Sequence, residues 1–106
     1  MGRWLRICPA EAIPEGHAAR VEVGDLPIAL FNVEGEFHCL DDTCSHALAS
    51  LSEGELHPSS CTVECPLHGS QFDLRTGDPT SLPAVEPVAV HPVEVREGEV
   101  WVELEP

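Results

Sequence analysis

Hydrophobic and polar positions alternate over short stretches of this chain, and no convincing helical period runs through it. Trp4 to Cys8 and Ala18 to Val23 read as short strands. Leu26 to Val33 and Glu36 to Leu40 read as a hairpin across Glu34-Gly35, where glycine supplies the turn conformation. Cys61-Thr62-Val63-Glu64 is a further short strand, and Gln71 to Leu74 another. Thr76-Gly77-Asp78-Pro79 has the composition of a turn. Val88 to Glu97 and Glu99 to Leu104 then read as a second hairpin around Glu97-Gly98, with Val/Glu alternation.

These elements predict an all-β fold, a small antiparallel sandwich or barrel. Ten prolines and eight glycines support it, since they oppose long helices and suit many short strands joined by loops. The irregular region, about 41–75, reads as an insertion of two loops between strands contributed by both ends of the chain. At 106 residues, without repeats or low-complexity tracts, a single domain over 1–106 is expected.

Composition refines this picture. With 42% hydrophobic residues the chain can bury a core and is not disordered by composition. Its formal charge of −14 sets 19 acidic residues against five basic ones, all arginine. Such a field repels nucleic acid and anionic membrane surfaces and steers encounters toward basic partners, although it also serves plain solubility. No stretch approaches a membrane span, and Pro9 and acidic residues follow the N-terminal Arg3 and Arg6 where a secretory signal would be apolar. Arg6 also occupies the Ser/Thr position of a myristoylation signal. A soluble cytoplasmic protein is expected.

Two short runs carry the candidate chemistry. Cys44-Ser45-His46 and Cys65-Pro66-Leu67-His68 each pair one thiolate donor with one imidazole donor and follow a strand-like segment. Two Cys and two His from two loops can close around a metal or an iron–sulfur cluster. Tetrahedral structural zinc takes the same four donors, but zinc fingers group Cys with Cys and His with His. One Cys and one His per loop instead lets one iron take both thiolates and a second both imidazoles, as in a Rieske [2Fe–2S] centre. An all-Cys plant-type ferredoxin fails: Cys39 and Cys44 give its opening C-x₄-C, but the next cysteine should fall at Ala47. The remaining Cys8, Cys39 and Cys61 read as buried thiols on strands. His17, His38, His57 and His91 lack a partner at metal-ligand spacing, with His57, between the two loops, the most open to another role. Trp4 and Trp101 read as core residues where the termini meet.

Over nearly its whole length the chain resembles the soluble Rieske ferredoxins of bacterial aromatic ring-hydroxylating dioxygenase systems. The resemblance rests on the two ligand runs, on Gly69-Ser70, on Phe72-Asp73-Leu74-Arg75-Thr76-Gly77 and on Leu82-Pro83-Ala84. It implies a Rieske-like antiparallel β sandwich or barrel with an inserted two-loop cluster-binding subdomain. It also implies one [2Fe–2S] cluster per chain, bound by Cys44, His46, Cys65 and His68, with a proline loop like Leu82-Pro83-Ala84 covering it. Respiratory and photosynthetic Rieske proteins add a cysteine to each ligand loop and join the two by a disulfide. Ala49 and Leu67 stand at those positions, so that staple cannot form. Those proteins also donate hydrogen bonds to cluster and ligand sulfurs from a Ser and a Tyr; Ser70 is kept, while Phe72 cannot donate. The membrane helix they carry is not expected here.

The resemblance implies a one-electron carrier rather than an enzyme. Its partners would be a flavin-containing ferredoxin reductase, driven by NAD(P)H, and a terminal Rieske oxygenase, with no nucleic acid and no membrane. No nucleotide fingerprint, phosphate-cradling loop or catalytic triad occurs in the sequence, so electrons are expected from another polypeptide. Fewer sulfur hydrogen bonds and the negative field both disfavour the reduced state, which predicts a potential toward the low end of the Rieske range, about −150 mV. Two other readings are a Rieske small subunit of another oxidoreductase, such as nitrite reductase, and a structural zinc-binding interaction module.

Overall fold

The computed structural model describes residues 2–45, 49–67, 69–82, 84 and 86–104. Among these, ten strands run in chain order: β1 (Arg3–Pro9), β2 (Ala18–Val23), β3 (Leu26–Val33), β4 (Glu36–Asp41), β5 (Glu55–His57), β6 (Thr62–Glu64), β7 (Gln71–Asp73), β8 (Val90–His91), β9 (Val93–Arg96) and β10 (Glu99–Leu104). They pair antiparallel in three sheets, ordered β2-β3-β4-β8, β1-β10-β9 and β5-β6-β7. The fold is all-β, with two short 3₁₀ turns at Ala10–Ala12 and Leu51–Glu53. No described helix is long and apolar enough to cross a membrane.

The alternation along β3 explains the layering. Ile28 and Leu30 point into one buried cluster with Cys39, Val100, Val102 and Leu104, closing the β3 sheet onto the sheet of the chain's two ends. Ala29, Phe31 and Val33 point the other way, into a second cluster with Leu40, Leu51, Val63, Phe72 and Leu74. Successive side chains of a strand face opposite sides, so a strand covered on both faces reads as a continuous apolar run. The central sheet therefore has the terminal sheet on one side and the region of β5, β6 and β7 on the other.

The two read hairpins form where they were expected. Glu34 and Gly35 have φ of 54° and 90°, and Glu97 and Gly98 have 49° and 78°. Both central residues of each turn are left-handed, the arrangement whose twist matches that of the flanking strands. Asn32 fixes the first turn: its carboxamide accepts from the Gly35 N–H at 2.8 Å and donates to the Ile13 carbonyl at 2.8 Å.

Three features differ from the reading of the sequence. The segment Val88 to Glu97 is not one strand. β8 pairs with β4 and β9 with β10, and the chain changes sheets at Pro92, whose nitrogen has no hydrogen for a ladder. The strand β5 was not read at all, because Leu56 is its only apolar residue. Finally, Trp4 and Trp101 do not join the core. On β10 the alternation buries Val100, Val102 and Leu104, which leaves Trp101 on the opposite face. There the Arg96 guanidinium lies 4.8 Å from the Trp4 ring and 5.2 Å from the Trp101 ring, a cation–π clasp on the outside of the terminal sheet.

Candidate metal centre

Both ligand runs hang from the face of the central sheet that carries the second cluster. The first begins where β4 ends. Asp42 is buried there, and every oxygen of its carboxylate is used. Oδ2 accepts from Ser50 Oγ at 2.6 Å and from Arg20 Nε at 3.1 Å, and Oδ1 accepts from the Ser52 N–H at 3.0 Å. A buried carboxylate is tolerated when it is paired and hydrogen-bonded in this way. The backbone closes the same loop: the Asp42 carbonyl accepts from the Leu51 N–H at 2.7 Å, and the Cys44 N–H reaches the Ala49 carbonyl at 3.0 Å. Cys44 is thereby fixed at the neck of the loop, 4% exposed.

The second run follows β6. The Cys65 N–H donates to the Ser70 carbonyl at 2.7 Å, and the Gly69 N–H returns to the Cys65 carbonyl at 3.0 Å. Closing so tight a turn requires a left-handed residue, and Gly69 supplies it with φ of 73°. Cys65 is 1% exposed. The neck of this loop is held by Gly54, whose added Cβ would fall 1.9 Å from the Glu64 carbonyl oxygen, so only glycine lets the first loop's exit approach the strand leading into Cys65.

A third segment ties the two loops together. The Ala84 N–H donates to the buried Ser70 hydroxyl at 3.0 Å, and the Ser45 hydroxyl donates to the Glu86 carbonyl at 2.6 Å. The chain reaches this position because Gly77, with φ of 78°, accepts the Val88 N–H at 2.9 Å while its own N–H donates to the Asp73 carbonyl at 2.7 Å; a Cβ there would lie 2.1 Å from the Val88 oxygen. Residues beyond the predicted insertion limit at 75 therefore pack against both loops, and the chain rejoins the β4 sheet only at Val90.

Cys44 and Cys65, predicted as ligands, thus belong to one buried cluster that also contains Leu51, Phe72 and Ala84. His46 and His68 lie outside the described residues, as do Leu48 and Pro83. Two buried thiols delivered by separate loops fit the thiolate half of a [2Fe–2S] centre, and the surrounding apolar side chains exclude water from it.

The other cysteines and histidines occupy different places. Cys39 is fully buried on β4, where burial, with Asp41 adding to it, pushes its thiol up to about 12. Cys8 is half-buried on β1, and burial raises its thiol too. Cys61 is not on a strand, as the sequence suggested. It sits in the turn before β6 with φ of 56°, and its sulfur is 3.7 Å from His38 Nε2. Burial lowers the pKa of His38, opposed in part by Glu36 at 3.3 Å. His91 pairs with Asp41 at 2.7 Å, His57 contacts Glu64 and Glu55, and His17 is exposed. The buried Asp42 network and the Ser45 and Ser70 anchors were not read from the sequence. Only Ser70 had a signal there, its position two residues after His68.

Residues 3–92 match the family described as Rieske [2Fe-2S] domain. The chain is 47% identical over 97 residues to the 3-phenylpropionate/cinnamic acid dioxygenase ferredoxin subunit of Escherichia coli (strain K12), covering 92% of this chain and 90% of that protein. Among solved structures it resembles a chain in the complex of reduced oxygenase and oxidized ferredoxin in carbazole 1,9a-dioxygenase. That match has 45% identity and a TM-score of 0.87, over 93% of this chain and 91% of that one. The ferredoxin of carbazole 1,9a-dioxygenase from Nocardioides aromaticivorans IC177 matches with 33% identity and a TM-score of 0.90, over 93% and 95% of the two chains.

Proposed function

Since the chain belongs to the Rieske [2Fe–2S] domain family, we propose that it carries single electrons from a flavin-containing, NAD(P)H-dependent reductase to a terminal aromatic ring-hydroxylating oxygenase. It is a ferredoxin-type electron-transfer component, not the catalyst of the ring chemistry. Cys44 and Cys65 would hold one iron, and His46 and His68 the other. When bound, the cluster supplies a one-electron couple of Rieske type. We assign the whole of 1–106 to one domain working in the cytoplasm.

The chain's own residues do the rest. Burial of Cys44 and Cys65 keeps water from the thiolates, and the closed backbone turns at both loops hold their sulfurs in place between encounters. Leu67, between Cys65 and His68, is 61% exposed, and Leu82, beside the Ser70–Ala84 anchor, is 77% exposed. Two exposed apolar side chains in the segments that carry the loops offer a small apolar surface for brief docking, on a strongly acidic molecule that attracts basic partner surfaces.

The observation that carries this reading is the convergence of two buried cysteines from separate loops in a chain 47% identical to a dioxygenase ferredoxin subunit. Iron, acid-labile sulfide and the EPR spectrum of the reduced protein test it. Two irons, sulfide and a Rieske-type signal are expected. Zinc without sulfide, in protein purified anaerobically, would refute it and leave a structural zinc module.

A further inference from the structure

We propose that Glu55, His57 and Glu64 form a separate site for one divalent transition-metal ion of the zinc class, braced across the β5–β6 ladder. The register brings them together. β5 and β6 run antiparallel with Glu55 directly opposite Glu64 and His57 opposite Thr62. Residues two apart on a strand share a face, so His57 stands beside the two carboxylates. His57 Nε2 is 3.2 Å from Glu64 Oε1 and 3.5 Å from Glu55 Oε2, and one donor atom from each of the three residues lies within 4.8 Å of the other two.

Without a cation this arrangement is costly. Two carboxylates facing each other across an antiparallel pair repel. Among the described residues no arginine pairs with either: the ion pairs of Arg6, Arg20 and Arg96 go to Glu99, to Glu22 and Asp42, and to Glu94. His57 Nε2 can carry one hydrogen at most, so it satisfies one carboxylate at a time. A single ion among the three donors resolves the conflict. Tetrahedral zinc with nitrogen and oxygen ligands at their usual lengths holds those atoms about 3.4 Å apart, which matches both observed separations. The imidazole favours a transition ion over calcium or magnesium, which prefer all-oxygen sites. Glu55 is exposed while His57 and Glu64 are partly buried, so the ion is reached from solvent and water can complete its coordination.

The site uses no thiol, and it stands whether or not Cys65, the residue after Glu64, binds iron. Isothermal titration of the purified protein with Zn²⁺ tests it, with iron content measured before and after so that displacement of iron is scored apart from binding. The wild type should take up one Zn²⁺ per chain with iron unchanged. His57→Gln, Glu64→Gln and Glu55→Gln should each weaken that binding at least tenfold. Asp25→Asn, at an exposed turn elsewhere, should leave it intact despite removing the same charge. If Glu64→Gln does not fold, the other two variants, both on β5, decide the matter. No Zn²⁺ uptake below millimolar concentration, or equal affinity in wild type and His57→Gln, would overturn the proposal. An equal loss in Asp25→Asn would do the same, by showing general attraction to an acidic protein.

Discussion

Replacing Ser70 by Ala tests how the protein sets the potential of its centre. Ser70 is fully buried, and its Oγ accepts the Ala84 N–H at 3.0 Å. Its own proton has no acceptor among the described residues, one turn from Cys65, so it is available to a sulfur of the centre. A donor to sulfur stabilises the reduced, more negative state more than the oxidised one. If that preference is worth about 1–1.5 kcal/mol, a typical net hydrogen bond, its loss lowers a one-electron potential by roughly 40–60 mV. Potentiometric titration followed by EPR or visible circular dichroism reads the shift directly.

The same substitution has a second effect, which separates the two roles of the hydroxyl. Ala84 is buried, and its N–H would lose its acceptor, at about 1–3 kcal/mol of stability. Ser70→Thr keeps the hydroxyl and should restore both properties if the added methyl is accommodated. A less stable Ser70→Ala protein with an unchanged or higher potential would refute the donor role while leaving the anchor to Ala84 in place.

Gly54→Ala should lower the melting temperature and the iron content together. Its φ of −79° is ordinary, so the penalty is the clash with the Glu64 carbonyl, about 1–3 kcal/mol by analogy with overpacking; an unchanged melting curve would contradict this. His38 has a pKa lowered chiefly by burial, so below its unfolded value of about 6.5 the unfolded chain takes up the proton first. The stability tied to a neutral His38 is therefore present above that pH and lost as pH falls through the folded pKa. The urea midpoint of the wild type should drop more than that of His38→Gln between pH 7.5 and 5.5, and parallel curves would rule His38 out. Leu67→Glu should slow electron transfer to both partners about five- to tenfold with the cluster spectrum intact, as for an interface side chain worth at least 1 kcal/mol. Unchanged turnover would remove Leu67 from the docking patch.

The strands were legible where burial imposed a period. On β3, β4 and β10 the apolar residues and the left-handed turn residues lie adjacent in sequence, so local chemistry suffices. The short strands next to the ligand loops were harder. β5 has one apolar residue, and its identity as a strand depends on pairing with β6. That pairing is what sets Glu55 against Glu64 and brings His57 to both, so the cluster could not be seen while β5 was unread. The Asp42 network was hidden for a similar reason: its partners Arg20, Ser50 and Ser52 come from three separations along the chain. Trp4 and Trp101 were misplaced because size suggested burial, whereas the alternation of β10 puts Trp101 on the outer face. Cys44 and Cys65 were picked out as candidate ligands without tertiary information, because their spacing to histidine within each run is itself the signal.

The charge and the apolar patch answer two different demands on a carrier. An electron added to the centre enters a molecule already at −14, and the like charge opposes it, pulling the potential down. The same field speeds encounters with a basic partner over distances of about a Debye length, 8–10 Å at moderate salt. It does little to prolong them, since charged rims act mainly on association rates. Residence is set by what touches, and the described surface has only four large exposed apolar side chains, two of which, Leu67 and Leu82, lie beside the loops. Such a patch is too small for a stable complex of standard size. The consequence is frequent collision with short residence, as the proposed shuttling between a donor and an acceptor requires. The rigid part of the problem is solved mostly inside, where buried Asp42 and Ser70 hold the two loops with hydrogen bonds to Arg20, Ser50, Ser52, Ala84 and Cys65.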